Sequence, residues 1–583
     1  MQKLHWAVAG TALLLWGCSL EQEPVGGVQA ALFDANVHGF GFQNYSNEHN
    51  PVNLTAEEVH RMFGDRVCAS GSGPTCSLTP TAAQWMQQVS NGMNGGHCEG
   101  MAVLSLRIEQ GLDSHTNYGA NASNTFDLAL EGNDRLTREI GYWFALQGVA
   151  PVSSAETRTP PSEVVRLLEE ALDTGNEAYT LGFYKPGFQA GHAVTPIDVV
   201  DGDNGTEILV YDNNFPGQTR SILVDEENET WEYSAAASPD VAESAYHGDA
   251  STKTLGLTPL SVRQGTLECP FCGDYQAGMA ANRNVSVTGD ASLLITDENG
   301  NQIGHTSDGE LVNSIPGASF GAQRSDDLWQ DRQEPVYLVP GGSGLELAIG
   351  DGGDGSLDPS DVAVVGPGYY LGIENIVLEP GQIDGAFIGR DTTSISYVTD
   401  GLETPDIVLA VETAAADWIV VVRSRGDSGG QQIDASVDFA DGGTLSLFFA
   451  GTDAESEFDL YLTRVDDTTV VDFGTDMVRV PNGAALTLRF ADFDTDGEGL
   501  VLGVDSDGDM MPDTMVDLAD TGGLPMNMNP MNMNPMNPMN PMSPPARGSD
   551  GGGCSVSPNA PASGFATLSL VFGILVLIGR RRF

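Results

Sequence analysis

The hydrophobic period of this chain changes once, between Leu172 and Tyr179, and that change limits the fold more than any single motif. Before it, apolar residues recur at helical spacing; after it, they alternate. A period of 3.6 buries one stripe of a helix and a period of 2 buries one face of a strand, so the two regions demand different structures. Thr55-Ala56-Glu57-Glu58 is a capping box that opens a helix towards Phe63. Thr79–Val89 follows, with Trp85, Met86 and Val89 on one face, and then Asp134–Leu146 and Pro161–Leu172, the last with proline in its first turn. The strands are Tyr179–Tyr184, His192–Val200, Glu207–Tyr211 and a hairpin through Arg220–Tyr233. Helices first and an antiparallel sheet second predict an α+β arrangement.

From about Leu260 to Leu502 the alternation continues in short strands parted by Gly/Asp/Pro turns, for example Ser292–Thr296, Val336–Val339, Ile407–Val411, Trp418–Val422 and Leu445–Phe449. Glycine supports that reading: 71 of 583 residues, above the usual ~7%. The spacing predicts two all-β, sandwich-like modules at 259–400 and 401–504, without a catalytic constellation. A formal charge of −56 repels phosphate backbones and excludes nucleic acid as a partner, while a 40% hydrophobic share still permits ample cores.

Both ends carry addresses. Residues 1–17 read as an export signal, with Lys3 ahead of the apolar stretch Trp6–Trp16. Leu15-Trp16-Gly17-Cys18 resembles a lipoprotein box with Cys18 as the acylated residue; cleavage near Val28-Gln29-Ala30 is the alternative. Residues 521–548 form a linker in which Met-Asn-Pro repeats over Pro525–Pro545, a semi-extended spacer with a thioether copper site as the competing reading. In the tail, 549–583, the run Gly551-Gly552-Gly553-Cys554, the apolar segment Phe565–Ile578 and Arg580-Arg581-Arg582 follow in order. The segment is short for a bilayer span, which needs about 20 residues. It resembles the myxobacterial C-terminal sorting tail (MYXO-CTERM), which implies processing and lipidation at Cys554 and contact with a membrane; an ordinary C-terminal membrane anchor is the alternative. These signals predict an exported protein, at the outer membrane or cell surface or secreted.

There are seven cysteines. With Cys18 and Cys554 assigned to the ends, Cys68 and Cys76 bracket a short loop and pair readily in an oxidising compartment. Cys269-Pro270-Phe271-Cys272 lacks the second pair a zinc ribbon requires, so a local disulfide is preferred over metal or redox duty. Cys98 is left over. It lies in Gly95-Gly96-His97-Cys98-Glu99-Gly100, where two glycines lead into an apolar-periodic helix running to about Gln110. A thiol at a helix N-terminus is favoured as thiolate. Downstream, His192 starts a strand and Asp212 ends another, with Asn214 as a substitute for Asp212. Thiolate attacks a carbonyl, imidazole moves the proton, and a carboxylate fixes the imidazole tautomer.

The order helix-borne Cys98, strand-borne His192, then Asp212 resembles papain-like thiol hydrolases, and the Gly-His-Cys-Glu-Gly-Met run is similar to a group of bacterial exported proteins with that core. The resemblance covers 32–258 and implies an α+β papain-like domain acting as a cysteine-type peptidase on protein or peptide substrates. Papain-type enzymes carry an oxyanion-hole glutamine about six residues before the cysteine; here Gly92 holds that place, with Asn91 and Asn94 as nearby amide donors. His97 reads as structural or substrate-facing. The arm His38-Gly39-Phe40-Gly41-Phe42-Gln43-Asn44-Tyr45 either packs on the core or lines a groove. Two other functions stay open. One is a transglutaminase-like acyl transferase, although Val194 stands where that family typically has tryptophan. The other is a non-catalytic surface binding or structural protein on a papain-like scaffold.

At 505–520, Asp505, Asp507, Asp509 and Asp513 fall at positions 1, 3, 5 and 9 around Gly508, the oxygen set a hard cation requires. The run resembles a single thrombospondin type 3 calcium repeat, with Asp517 as a later ligand and Met510 where glycine is usual. Structural calcium is the implied cofactor, and none is expected for catalysis.

Overall fold

The structure, a computed structural model, describes residues 33–520 apart from short segments at 235–244, 290, 326–333, 354–356, 358, 426–429, 440–442, 467–468 and 494–499. The signal segment with Cys18, the Met-Asn-Pro tract and the tail with Cys554 lie outside the described residues. No helix among the described residues is long and apolar enough to cross a membrane.

The helical region forms as its periodicity dictates. Helix α1, Ala56–Phe63, begins with both halves of the Thr55–Glu58 capping box. Helix α2, Pro80–Gly92, is capped by Thr79, whose hydroxyl accepts from the Ala82 N–H. Then come α3 (Cys98–Glu109), α4 (Asp134–Ala145) and α5 (Pro161–Thr174), the last stopped by Gly175 at φ 64°. Helices α3 and α4 approach closely: a Cβ on Gly100 would lie 2.1 Å from the Ile140 carbonyl oxygen, so only glycine fits there. Strands β1 (Cys68–Ser70) and β2 (Ser77–Leu78) pair in a small hairpin that the Cys68–Cys76 disulfide closes. The second expected disulfide, Cys269–Cys272, is also formed.

The strands that follow are β3 (Tyr179–Lys185), β4 (Gln189–Gly202), β5 (Gly205–Tyr211), β6 (Thr219–Asp225), β7 (Thr230–Ser234), β8 (Ala245–Asp249) and β9 (Leu255–Pro259). They make one antiparallel sheet in the order β8-β7-β6-β5-β4-β3-β9. Helix α5 packs on it through Val164, Val165 and Leu168, against Phe183, Val194 and Val210.

Beyond Arg283 the described strands form a nine-stranded and an eleven-stranded sheet, packed face to face. The expected division into modules at 259–400 and 401–504 is corrected here. Tyr369–Ile376 pairs with Asp406–Glu412, and Ser394–Thr399 pairs with Gln431–Asp438, so both sheets run through residue 400 unbroken. One apolar core extends from Tyr275 to Leu518. Alternation reports that a segment is a strand with a buried face, but not which strand it pairs with, and Gly/Asp turns are as dense within a sandwich as between two.

The boundary at 258 marks a change of element type and not an edge of the core. Trp85 and Met86 of α2 share a cluster with Val408, Ala410, Ile419 and Val421, on the outer face of the nine-stranded sheet. That sheet is therefore covered on both faces, and Ile407–Val411 is buried at every position. The eleven-stranded sheet has one covered face and keeps the strict alternation seen in Leu345–Gly350.

Candidate active site

Helix α3 is buried from Cys98 to Leu106. Its two sides do different things. Met101, Val103, Leu104 and Leu106 enter the main helical core, whereas Cys98 and Ala102, one turn apart, pack on Ala193 of β4. Small residues on both elements let helix and strand approach closely, and the Thr195 hydroxyl reaches the Ala102 carbonyl at 3.3 Å. Cys98 is outside any disulfide and fully buried. It meets β4 one residue beyond His192.

His192 and Asp212 are brought together as the strand–turn–strand reading required. Thr195 pairs with Tyr211 across β4 and β5, so the start of one strand lies beside the end of the other. His192 Nε2 is 2.8 Å from Asp212 Oδ1. That bond keeps the proton on Nε2 and leaves the lone pair of a neutral imidazole on Nδ1. Both side chains are buried, at 2% and 1% exposure, so water screens the pair little. Burial pushes the Asp212 carboxyl up, but the His192 charge and hydrogen bond, the Tyr233 hydroxyl and the Asn214 N–H outweigh it and hold the group below its ordinary value. Asp212 is thus an ionised acceptor with both oxygens engaged: Tyr233 donates to Oδ2 and the Asn214 N–H to Oδ1 at 2.8 Å. Asn214 contributes through its backbone and not as a second orienting side chain.

Residues that the sequence did not single out complete the surroundings. Asn213 Nδ2 donates to the carbonyls of Cys98 and Ala193, each at 3.1 Å, tying the first turn of α3 to β4. Asn44, delivered by the Gly/Phe arm, accepts the His97 N–H on Oδ1 at 2.7 Å and donates from Nδ2 to the Ser325 carbonyl at 3.3 Å. The arm is fixed by the Phe40 N–H donating to the Tyr211 hydroxyl at 2.9 Å, with Phe40 fully buried. The amides expected near the thiol point elsewhere: Asn91 reaches Asp361 and Asn94 is exposed. His97 is structural, stacked on Tyr45 with ring centroids 4.1 Å apart, Nδ1 facing the Tyr45 carbonyl and Nε2 facing Asn53.

A buried charge cluster adjoins α3. Glu99 is ion-paired with Arg263 and lies 3.5 Å from Arg324, which belongs to the chain beyond β9. Burial disfavours the Arg324 charge, but Glu99, Tyr184, Glu156 and Cys98 together raise its pKa.

Two groups of side chains have metal-ligand character among the described residues. His60 and Asp65 lie with Cys68, whose sulfur is committed to the disulfide. In the hairpin between Leu500–Asp505 and Thr514–Leu518, Asp505, Asp507 and Asp513 place one carboxylate oxygen each within 4.8 Å of the others. Asp509 turns away to accept the Met511 N–H at 2.8 Å, and Asp517 sits exposed on the return strand. Met510 takes φ 68°, the left-handed conformation that explains why glycine is usual there.

Compared with known proteins, the chain matches no family model, no curated protein and no solved structure.

His97 gives this region a measurable acid sensitivity. Burial pushes its imidazole down to about 4, partly opposed by the Tyr45 carbonyl. The unfolded chain binds that proton from about pH 6.5 downward while the folded chain does not, so stability is full above that pH and falls towards pH 4, by about 3 kcal/mol in total. Asp212, held below its ordinary value, acts in a lower window, under about pH 4. Urea midpoints at several pH values are expected to show the loss in the wild type and a shallower slope in His97→Gln. Equal slopes would remove His97 as the cause.

Proposed function

We propose that this chain is an exported thiol hydrolase, most simply a cysteine-type peptidase with a papain-like arrangement, in which Cys98 is the nucleophile, His192 the base and Asp212 the residue that orients it. The observation that carries the reading is the buried His192 Nε2–Asp212 pair on the strand against which Cys98 packs. With Nε2 committed to Asp212, Nδ1 is the nitrogen that accepts the thiol proton. The thiolate forms a bond to the substrate carbonyl carbon, and the oxyanion is met by the Asn44 amide and the Cys98 backbone N–H. The imidazolium then protonates the leaving amine as the C–N bond breaks. Water, deprotonated by the imidazole, hydrolyses the thioester and restores the thiol. Tyr233 and the Asn214 N–H keep Asp212 ionised throughout.

The full burial of Cys98 favours a second reading, a non-catalytic surface protein on the same scaffold. The transglutaminase-like alternative differs in the acceptor, an amine in place of water. Export and lipidation at Cys18 and Cys554 rest on the sequence signals, and the two local disulfides suit an oxidising compartment. The substrate is a protein or peptide, and the membrane is a partner through the lipid or the tail. Calcium is proposed as a structural ion held by Asp505, Asp507 and Asp513.

Alkylation of Cys98 by iodoacetamide distinguishes these readings. A thiol activated by His192 is expected to react below about pH 7, where an ordinary thiol is mostly protonated. Cys98→Ser should abolish labelling and hydrolysis, His192→Ala should remove the low-pH reactivity, and Asp212→Asn should lower it by a smaller factor. Labelling only above about pH 8, unchanged by His192→Ala, leaves the scaffold reading. Incorporation of an added amine into product would select the acyl transferase.

For calcium, the expected result is a stabilisation of about 1 kcal/mol in millimolar calcium, lost in Asp505→Asn. Thermal melting with and without chelator measures it, and no shift in the wild type leaves only an acidic turn.

A further inference from the structure

Next to the candidate site lies a piece of this same chain. Ser319–Gly321 is the edge strand of the nine-stranded sheet, and the residues after it, Ala322–Ser325, leave that sheet and run onto β4. Arg324 forms a parallel bridge with Gly191, the residue before His192, and the Ser325 N–H donates to the Gly191 carbonyl at 3.0 Å. The Ser325 carbonyl accepts from Asn44 Nδ2 at 3.3 Å. Gln147 reads the backbone of Arg324 from both sides: its Oε1 accepts the Arg324 N–H at 2.7 Å, and its Nε2 donates to the Arg324 carbonyl at 3.2 Å. Every backbone polar group of Arg324 and Ser325 therefore has a partner on the walls of the site, as in an extended peptide taken up by strand addition.

The walls are shaped for that backbone and for one side chain. A Cβ on Gly191 would lie 2.0 Å from the Gln323 carbonyl oxygen, and one on Gly182 would lie 2.6 Å from Arg324 Cδ. Two glycines on neighbouring strands thus open the space in which the strand and the arginine stem lie. The guanidinium finds the Thr258 hydroxyl at 3.0 Å, Glu99 at 3.5 Å and Glu156 at 3.9 Å. Glu99 is shared with Arg263 and Glu156 with Arg158, so the pocket is a charge network into which Arg324 fits and not a bare anion.

We propose that Ala322–Ser325 is held at the candidate site as the acyl side of a peptide substrate is held, and that the cleft takes extended peptides with arginine at the place of Arg324. The proposal rests on the thiol-hydrolase reading and adds a substrate class and a latent state to it. The carbonyl that Asn44 holds is the one at which attack is expected, and the residue before it is the arginine. With its own segment in place, the protein presents a buried thiol; a competing peptide gains access only when the segment lifts, which is a local opening and not unfolding.

The test compares iodoacetamide labelling of Cys98 in the full-length protein and in two variants, Arg324→Ala and Gln147→Ala. Both variants remove segment contacts and leave Cys98, His192, Asp212 and Asn44 in place. Labelling is expected to rise about tenfold or more in each, the response to an opening made easier by one to two hydrogen bonds. The peptide acetyl-Gly-Ala-Gln-Arg-Ser-amide, added at about 1 mM, should slow labelling of Arg324→Ala, in which the walls are intact, about threefold, and the same peptide with alanine for arginine should not. If Arg324→Ala loses its cooperative melting transition, Gln147→Ala, which keeps every charge, decides. Equal labelling of all three proteins, or equal protection by both peptides, overturns the proposal. Faster labelling in the variants that appears only above about pH 8 and ignores His192→Ala supports the occupied cleft while sinking the thiol-hydrolase reading. Low-pH, His192-dependent labelling that is equal in all three proteins does the reverse.

Discussion

A helix buried on every side has to pass its terminal N–H groups to neighbours, and α3 does this where Cys98 begins it. Its capping residue, His97, has no side chain available for the role, because the imidazole is sandwiched between Tyr45 and Asn53. The His97 N–H is given to Asn44 instead, and Asn213 adds a second donor to the Cys98 carbonyl in the first turn. An unmet buried N–H costs about 1–3 kcal/mol, so Asn44 is held in place by the helix end it satisfies. The positions of the two asparagines fix the rest. Asn213 lies between Asp212 and Asn214, so its bonds to the Cys98 and Ala193 carbonyls also fix the segment that sets the carboxylate beside His192. Asn44 comes from an arm whose own path is set by Phe40 and Tyr211.

The electrostatics build on that frame. Asp212 is stripped of water yet stays ionised, because an imidazole, a phenol and a backbone N–H are placed on its oxygens. Removing one partner from such a group costs more than the bond itself is worth, since the charge remains. Around Glu99 the same logic draws in Arg263 from the end of the sheet region and Arg324 from beyond it. The continuous core formed by α2 with the nine-stranded sheet is what makes this second donor possible. Had the chain been separate domains on linkers, Arg324 would have no fixed position relative to Glu99.

The elements that depend on local chemistry were legible in the sequence. Thr55 and Glu58, Thr79, Pro161 and Gly175 set helix ends within a few residues, because caps act over one turn. The His192–Asp212 contact was legible for a related reason: a strand, a turn and a returning strand leave few other registers. Asn44 was not, since its role comes from an arm that crosses the fold, and residue spacing pointed to Asn91 and Asn94 instead. Nor was Arg324, which lies in a region whose alternation suggested only strands. Gly182 and Gly191, set within buried strands, were the available signal, as glycine there marks a close backbone approach. The continuity of the sandwich through residue 400 was not legible, because pairing between distant strands leaves no mark in either strand alone.

In the proposed mechanism Cys98 and His192 share one proton in a buried, carboxylate-anchored pair. Thiolate absorbance near 240 nm, taken as the difference between the wild type and Cys98→Ser across the pH range, measures that proton directly. The thiolate signal is expected to be present already below about pH 6, well under the ordinary thiol value near 8.5, and His192→Ala is expected to move its appearance upward. A signal that emerges only above about pH 8 in both proteins would contradict that mechanism, and Cys98 would then be an inert part of the core.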